Sequence, residues 1–273
     1  MLRNFSLFRC NDPRPTAEIA EANPFLACAP TQASSVGYRD EHTVIVERKA
    51  VPAEAVKRHA EEAARKVERE TGRKPGRKAM RELKEQALHE LLPQAFARRK
   101  AIPLIWLDGL LVVGSTSASD LDAVTTWLTR TVDGLVLANV QTREAPAGLL
   151  RDMVRDPTGF YPICAGRAVL LAGENGLKVR YKNYPLDSEN VLAHITAGRE
   201  VESLDMEWTD RMAWTLTRDL QFKGAELLAV IHEGADPGPD VVAAERELWR
   251  GALKQVTTML LDDLLGGAME LPE

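Results

Sequence analysis

The sequence predicts an α+β protein: an antiparallel, β-rich body with a projecting basic helical hairpin and a long C-terminal helix. Three patterns favour this class. Two apolar runs flank a tight Asp108-Gly109 turn, which is a strong β-hairpin signal. Residues 199–208 and 211–217 alternate apolar and polar side chains, as in a half-buried antiparallel pair. Residues 53–92 repeat apolar side chains at helical spacing. Because strand pairs and single helices interleave, we expect α+β rather than a doubly wound parallel sheet.

In the N-terminal half, turn residues and β-branched runs set the predicted boundaries. Pro13 and Pro15 end the first strand, and Pro93 predicts a kink or stop near Leu92. The predicted elements are a strand at 4–10, helical turns at 16–22, an irregular segment at 24–39, a strand at 42–48, the helical hairpin at 53–100, strands at 103–108 and 110–114, a helix after Ser117 and a strand at 134–140.

The C-terminal half continues with the same alternation of strand pairs and helices. Its predicted elements are a helix at 147–155, paired strands at 167–172 and 177–183, a short helix from Asp187 to Gly198, paired strands at 199–208 and 211–217, an apolar segment at 227–231 and a helix at 241–265. Gly and Pro mark a linker before that helix. The predicted domains are a body of 1–52 with 101–231 (undivided, or as subdomains 1–140 and 160–231), the hairpin 53–100, the linker 232–240 and the C-terminal segment 241–273.

The hairpin carries a charge opposite to that of the rest of the chain. From residue 48 to residue 100 there are 16 Lys and Arg against 8 Asp and Glu, whereas the remainder has 19 against 32. Such segregation predicts a local surface for a polyanion. Along the helix shafts, Glu and Arg or Lys at i,i+4 are equally typical of a solvated face. The turn between the helices has fewer acidic neighbours and is the first candidate patch: Arg73, Lys74, Arg77, Lys78 and Arg81.

Two further basic patches are candidates for contacts with a phosphate backbone. Arg98, Arg99 and Lys100 follow the break at Pro93. Lys178, Arg180 and Lys182 alternate along a predicted strand, which places the three cations on one face; a merely solvated strand face is the alternative. No zinc-finger, helix-turn-helix or RNP motif is present, so the expected binding is independent of DNA sequence and sensitive to salt.

Enzyme chemistry has few candidate residues in this sequence. The P-loop, HExxH, CxxC and GxSxG motifs are absent, and the five His residues are isolated. Asp205 and Glu207 share a strand face with Asp210 in the next turn, so they are the first suspects for a metal-dependent nuclease. Their alternation with apolar residues also fits an ordinary solvated face. We expect no catalytic residue, no metal and no cofactor.

Composition predicts the compartment. Three widely spaced Cys residues indicate neither a disulfide framework nor a zinc site, which fits a reduced cytoplasm. The N-terminal apolar run is too short for a signal peptide, and nothing approaches a membrane span. The sequence pI near 5.7 requires that any contact with nucleic acid be local.

Three blocks of the sequence carry a resemblance to a known family: FLACAPTQASSVGY at 25–38, LLPQAF at 91–96 closed by IWLD at 105–108, and the run from Val179 to Trp208. In this order the blocks resemble the RdgC family, the recombination-associated, nucleoid-located DNA-binding proteins of bacteria. The likeness extends from residue 1 to about residue 228.

The resemblance implies a ring-shaped homodimer that encloses duplex DNA in a positively lined hole and limits RecA-promoted strand exchange. It also implies a nucleoid location and places Phe96, the aromatic of LLPQAF, near a contact that closes the ring. A core position after the helix break is the alternative for Phe96. Preference for duplex over single-stranded DNA stays open.

Some positions depart from the family pattern. Gln94 stands where an Arg is expected, Asn183 where a Lys is expected, and Tyr184 replaces an amide, so the third patch is expected to bind more weakly. Two other functions remain as alternatives: a metal-dependent DNA exonuclease, a label sometimes given to the family, and a protein-interaction module whose hairpin docks a partner helix.

Overall fold

The computed structural model describes residues 2–11, 17–173, 175–232 and 240–271. Its strands are β1 (Phe5–Cys10), β2 (Ser34–Asp40), β3 (Thr43–Lys49), β4 (Ala97–Leu107), β5 (Leu110–Val113), β6 (Leu137–Asn139), β7 (Ile163–Ala172), β8 (Lys178–Lys182), β9 (Glu200–Trp208), β10 (Met212–Thr217) and β11 (Gln221–Leu227). Its α-helices are α1 (Ala17–Ala22), α2 (Ala53–Thr71), α3 (Arg77–Leu91), α4 (Ala118–Thr131), α5 (Pro146–Arg155), α6 (Glu189–Thr196), α7 (Ala229–His232) and α8 (Val241–Thr257). The predicted α+β class with antiparallel strands is confirmed.

The chain folds as two compact units. Unit 1 comprises residues 1–14 and 103–273, and unit 2 comprises residues 15–102. Strand β4 crosses the boundary, so its first six residues belong to unit 2 and the others to unit 1.

Unit 1 is organised by a mainly antiparallel sheet. From β5 the strand order is β5-β1-β11-β10-β9-β7-β8, with the second half of β4 beside β5 and with β6 also paired to β1. The predicted Asp108-Gly109 turn is confirmed, since Gly109 has φ 69° between β4 and β5. The alternation in β9 and β10 is confirmed too, since Trp208 pairs with Met212 and both are buried.

The main hydrophobic cluster of unit 1 lies against one face of this sheet. Alternate strand residues such as Phe5, Leu204 and Trp214 bury their side chains there, together with residues of α5, α6 and α8. The long C-terminal helix is confirmed, although its last turns form a π-helix at Thr258–Leu264. Residues 233–239 of the predicted linker, and the last two residues of the C-terminal segment, lie outside the described residues.

Unit 2 combines the predicted helical hairpin with the strands β2 and β3 and the first half of β4. The prediction that residues 24–39 are irregular is wrong in part, because β2 pairs antiparallel with β3 through 34–40. Gly37 permits this arrangement: a Cβ there would lie 2.5 Å from the Cα of Phe25. The close approach of residues 23–25 to β2 includes a 2.7 Å bond from the Phe25 N–H to the carbonyl of Tyr38.

The expected stop at Pro93 is confirmed. Helix α3 ends at Leu91, a single 3-10 turn follows at Leu92–Gln94, and the chain is extended at Ala95. This happens because proline has no N–H to donate and its ring clashes with the preceding helical turn. Within the described residues, every helix is too short or too polar to span a bilayer.

Candidate nucleic-acid interface

The turn between α2 and α3 presents the first basic patch. Gly72 closes α2 in the left-handed conformation, with φ 71°, and donates its N–H to the carbonyl of Glu68 at 2.8 Å. A glycine adopts this conformation without the strain that a Cβ would bring. Lys74 and Arg77 are exposed on either side of Pro75 and Gly76, which separate the two helices.

The cations of this turn are largely free of internal partners. Within the described residues, no carboxylate lies within 4.0 Å of the charged groups of Arg73, Lys74, Arg77 or Lys78, whereas Arg81 forms an i,i+4 ion pair with Glu85 at 3.4 Å. We use the name "hairpin tip" for Arg73, Lys74, Arg77 and Lys78. Four exposed cations within six residues repel each other, so an external anion is a favourable neighbour.

The two helices below the tip bury little side chain between them. Ala60 on α2 and Ala87 on α3 are their only buried residues in the described range. His59 and Glu90 link the helices with a 2.7 Å contact. This hydrogen bond, followed by one from Gln86, holds the pKa of Glu90 below its usual value of 4.5.

The second basic patch, Arg98–Lys100, lies in the first half of β4. The sequence prediction began this strand only at residue 103, so its charged half was missed. All three side chains are exposed to some extent, but Arg99 turns towards Glu47 of β3, forming a 2.5 Å ion pair, and its guanidinium lies 5.2 Å from the centroid of the Phe25 ring. Glu47 therefore partly neutralises the charge of Arg99, although the Arg99 side chain is still 59% exposed.

The tip and the second patch are separate surfaces of unit 2. They lie at opposite ends of α3, whose 15 residues span about 22 Å at 1.5 Å per residue. Phe96 lies just before the second patch and is 93% exposed. This exposure rules out the alternative of a core position for Phe96, because the aromatic side chain faces solvent in the single chain. Aromatic side chains, Phe included, are enriched at protein–protein interfaces relative to the rest of the surface.

The third patch lies on β8, in unit 1. Its predicted geometry is confirmed: Lys178, Arg180 and Lys182 are exposed and alternate with half-buried residues. Lys178 forms a 2.6 Å ion pair with Glu202 of β9, whose side chain is 25% exposed. Within the described residues, no such pair holds Arg180 or Lys182. Two of the three cations are therefore available to an external anion.

The strand carboxylates are bound to their own sheet. Asp205 accepts a hydrogen bond from the Thr215 hydroxyl at 2.7 Å, and Glu207 accepts one from the Asp210 N–H at 3.3 Å. The described residues contain no group of three or more His, Cys, Asp and Glu side chains that could hold a metal ion. These carboxylates thus make hydrogen bonds with the neighbouring strand and with the β9–β10 turn.

Two acidic residues that sequence reasoning missed control the charge of these patches. Glu47 neutralises Arg99, and Glu202 neutralises Lys178. Neither pairing has a local signal, because the partners are 52 and 24 residues apart in the chain. The apolar neighbours of Glu47 in β3 could only have suggested that this carboxylate is buried.

Comparison with known families agrees with the sequence resemblance. Residues 1–267 match a family model described as "Putative exonuclease, RdgC". The match covers nearly the whole chain, including both units and all three patches.

Curated relatives named "Recombination-associated protein RdgC" are similar to this chain. The relative from Burkholderia cenocepacia is 35% identical over 185 residues, which cover 64% of this chain and 60% of the relative. The relative from Bordetella pertussis is 29% identical over 233 residues, which cover 82% and 78%. The chain thus spans about 60% of the length of the first of these relatives.

Proposed function

Because the chain belongs to the RdgC family, we propose that it binds the DNA backbone without sequence preference and takes part in homologous recombination. The hairpin tip carries this proposal: its four cations lie within six residues and, in the described part of the chain, have no carboxylate at ion-pair distance. Contacts between Lys or Arg and phosphate release counterions, which drives binding to any sequence.

The other two patches are proposed as further contacts with phosphate, each within its own unit and with unequal weight. Arg98, Arg180 and Lys182 are exposed, whereas the charges of Arg99 and Lys178 are partly neutralised by Glu47 and Glu202. Contacts to phosphate position a protein on DNA and carry no sequence information of their own. The expected affinity is therefore equal for unrelated sequences and falls steeply with salt.

We further propose that two copies form a ring around duplex DNA. A ring requires only its inner surface to be basic, which reconciles DNA binding with a chain of net charge −5. Phe96 supports a contact between copies, because its 93% exposure leaves a large apolar surface to be buried. A ring bound in this way would limit RecA-promoted strand exchange by occupying the duplex, and would work in the cytoplasm on the nucleoid.

Topological retention tests the ring. We expect the protein to stay on closed circular duplex DNA after transfer to high salt, and to leave the same DNA once one cut has made it linear, because a ring slides off an end. The Phe96→Ala variant should be lost from both forms. Equal salt-induced loss of wild-type protein from circles and linear DNA would contradict enclosure.

A metal-dependent exonuclease is the second candidate, favoured by the description of the family model. Asp205 and Glu207 are its first suspects, although Asp205 accepts a hydrogen bond from Thr215 of β10 and Glu207 accepts one from the following turn. Incubation of end-labelled duplex with Mg²⁺ and with EDTA separates the two readings. If the DNA is shortened in Mg²⁺ but not in EDTA, and Asp205→Asn abolishes this shortening, the chain is a nuclease and the proposal of binding without cleavage fails. Intact DNA under both conditions supports the proposal.

A further inference from the structure

One buried carboxylate joins three separate segments of unit 2. Glu47, on β3, has a side chain that is 2% exposed. Its Oε1 accepts the backbone N–H of Cys28 at 2.8 Å, and its Oε2 accepts the Nε–H of Arg99 at 2.5 Å. The segment before β2, strand β3 and strand β4 therefore meet at a single charged group.

Glu47 requires these partners because an unpaired carboxylate inside a protein is costly. The hydrogen bond from Arg99, and then that from the Cys28 N–H, hold the pKa of Glu47 below its usual value of 4.5. The carboxylate is thus ionised at neutral pH, and loss of its cation would leave a buried charge uncompensated.

Arg99 has a second contact, with the aromatic ring of Phe25. Its guanidinium lies 5.2 Å from the centre of the Phe25 ring, and Phe25 is itself held to β2 by a 2.7 Å backbone bond. Arginine suits this place because its planar group can stack on a ring while it donates to a carboxylate. Lysine lacks that planar face.

We use the name "Glu47 clamp" for the contacts of Arg99 with Glu47 and with the Phe25 ring. The position of the Glu47 clamp along β4 matters because this strand carries three consecutive cations. Side chains alternate between the two faces of a strand. A shift of β4 by one residue against β3 would therefore bring Arg98 or Lys100 to Glu47, and would move every side chain of the shifted segment to the other face of the sheet. With Arg99 facing Glu47, Arg98 and Lys100 point to the opposite face. Phe96 lies three residues before Arg99 and depends on the same register.

We propose that Glu47 is a positioning residue that fixes the register of residues 96–100 through Arg99, and so presents Phe96, Arg98 and Lys100 to a second chain and to DNA. What those three side chains contact rests on the proposed function. The register itself is a property of unit 2 and is tested separately. In this proposal Arg99 contributes to the interface indirectly, because its bond to Glu47 fixes the register of the neighbouring residues.

Native-state hydrogen exchange of the full chain tests the register. In Glu47→Gln, we expect amide exchange across 96–100 to rise about tenfold or more, with α2 protected as in the wild type. Glu41→Gln is the matched control, since Glu41 is a carboxylate of unit 2 whose side chain is 48% exposed; its exchange should stay within about twofold. Unchanged exchange at 96–100 in Glu47→Gln would overturn the proposal.

A milder variant serves if Glu47→Gln does not fold. Phe25→Leu removes the ring under Arg99 and keeps the Glu47 ion pair, so we expect the same region to exchange faster by a smaller factor. Equal exchange in Phe25→Leu and wild type would also contradict the Glu47 clamp.

A second experiment tests whether Glu47 positions Phe96. Sedimentation equilibrium measures self-association of Glu47→Gln, of Phe96→Ala and of the double variant. If Glu47 positions Phe96, each single variant weakens association and the double variant is no weaker than the worse single one. Additive losses would assign Glu47 a general effect on stability and overturn the positioning role. If Phe96→Ala alone changes nothing, the proposed ring contact fails, while the exchange result still decides the register.

Discussion

The hairpin tip and strand β8 both carry basic residues at regular spacing, but they differ in what faces those residues. Within the described structure, the four cations of the tip have no carboxylate at ion-pair distance. On β8 one cation of three, Lys178, is held by Glu202 at 2.6 Å. The number of basic residues in a stretch therefore overstates the positive charge that the folded chain presents to an external anion. Three measurements sharpen this comparison, and a fourth concerns the scaffold of the tip.

The largest effect is expected at the tip. Reversing Arg73, Lys74, Arg77 and Lys78 to Glu should weaken binding to all DNA sequences alike. Each lost phosphate contact should flatten the slope of log affinity against log salt by about 0.9, so the full loss approaches about 3.6. Fluorescence anisotropy of labelled random duplexes across a salt series measures both quantities.

A control with the same change in net charge separates the tip from the helix shaft. It reverses four exposed cations along α2, which are Arg58, Arg65, Lys66 and Arg69. We expect a smaller loss of affinity and a slope closer to that of the wild type. Equal losses in the two quadruple variants would mean that net charge alone governs binding.

The β8 patch should have about half the effect of the tip. Reversal of Arg180 and Lys182 removes two available cations, and we expect the salt slope to flatten by about 1.8. Lys178→Gln is the matched control, since this residue is already neutralised by Glu202 and should change the slope little. A Lys178→Gln effect as large as that of either neighbour would remove the distinction between paired and available cations.

Freeing the paired cation should strengthen binding. Glu202→Gln releases Lys178, and we expect tighter binding with a slope steeper by about 0.9. Glu200→Gln removes a carboxylate on the same strand that pairs with Arg218 instead, at 3.1 Å, so it controls for the general loss of negative charge. Equal gains in the two variants would show that the Lys178–Glu202 pair has no special role.

Low pH should destabilise unit 2, which carries the hairpin tip. Glu47 and Glu90 have pKa values below their usual 4.5, so they favour the folded state fully above that pH and lose this contribution as the pH falls through their folded pKa. We expect amide protection in β3 and α3 to decrease between about pH 5 and pH 3. Glu47→Gln/Glu90→Gln should show a flatter dependence; an identical one would contradict the assignment.

Local patterns predicted most elements of the fold. The hairpin helices, the stop at Pro93 and the β9–β10 pair follow from spacing and turn residues that lie close in the chain. Strand β2 was missed because its Ser and Gly residues have low strand propensity, and its strand geometry comes from pairing with β3. The charged half of β4 was missed because three cations in a row conceal the alternation of a strand.

The sequence predicted which basic residues belong to the candidate site, but it did not predict which of them are paired with a carboxylate. Spacing alone placed Lys178, Arg180 and Lys182 on one face. It could not show that Glu202 neutralises the first of them or that Glu47 holds Arg99, because these contacts join strands distant in sequence. The exposure of Phe96 likewise depends on how the chain leaves the 3-10 turn.

The most direct test of DNA binding compares two unrelated random-sequence duplexes, each titrated with the wild-type chain across a salt series with Mg²⁺ and with EDTA. We predict the same affinity for both sequences, a steep negative dependence on salt and intact DNA at the end. Absence of binding, or binding that salt does not weaken, would contradict the account and direct attention to a protein partner of the hairpin.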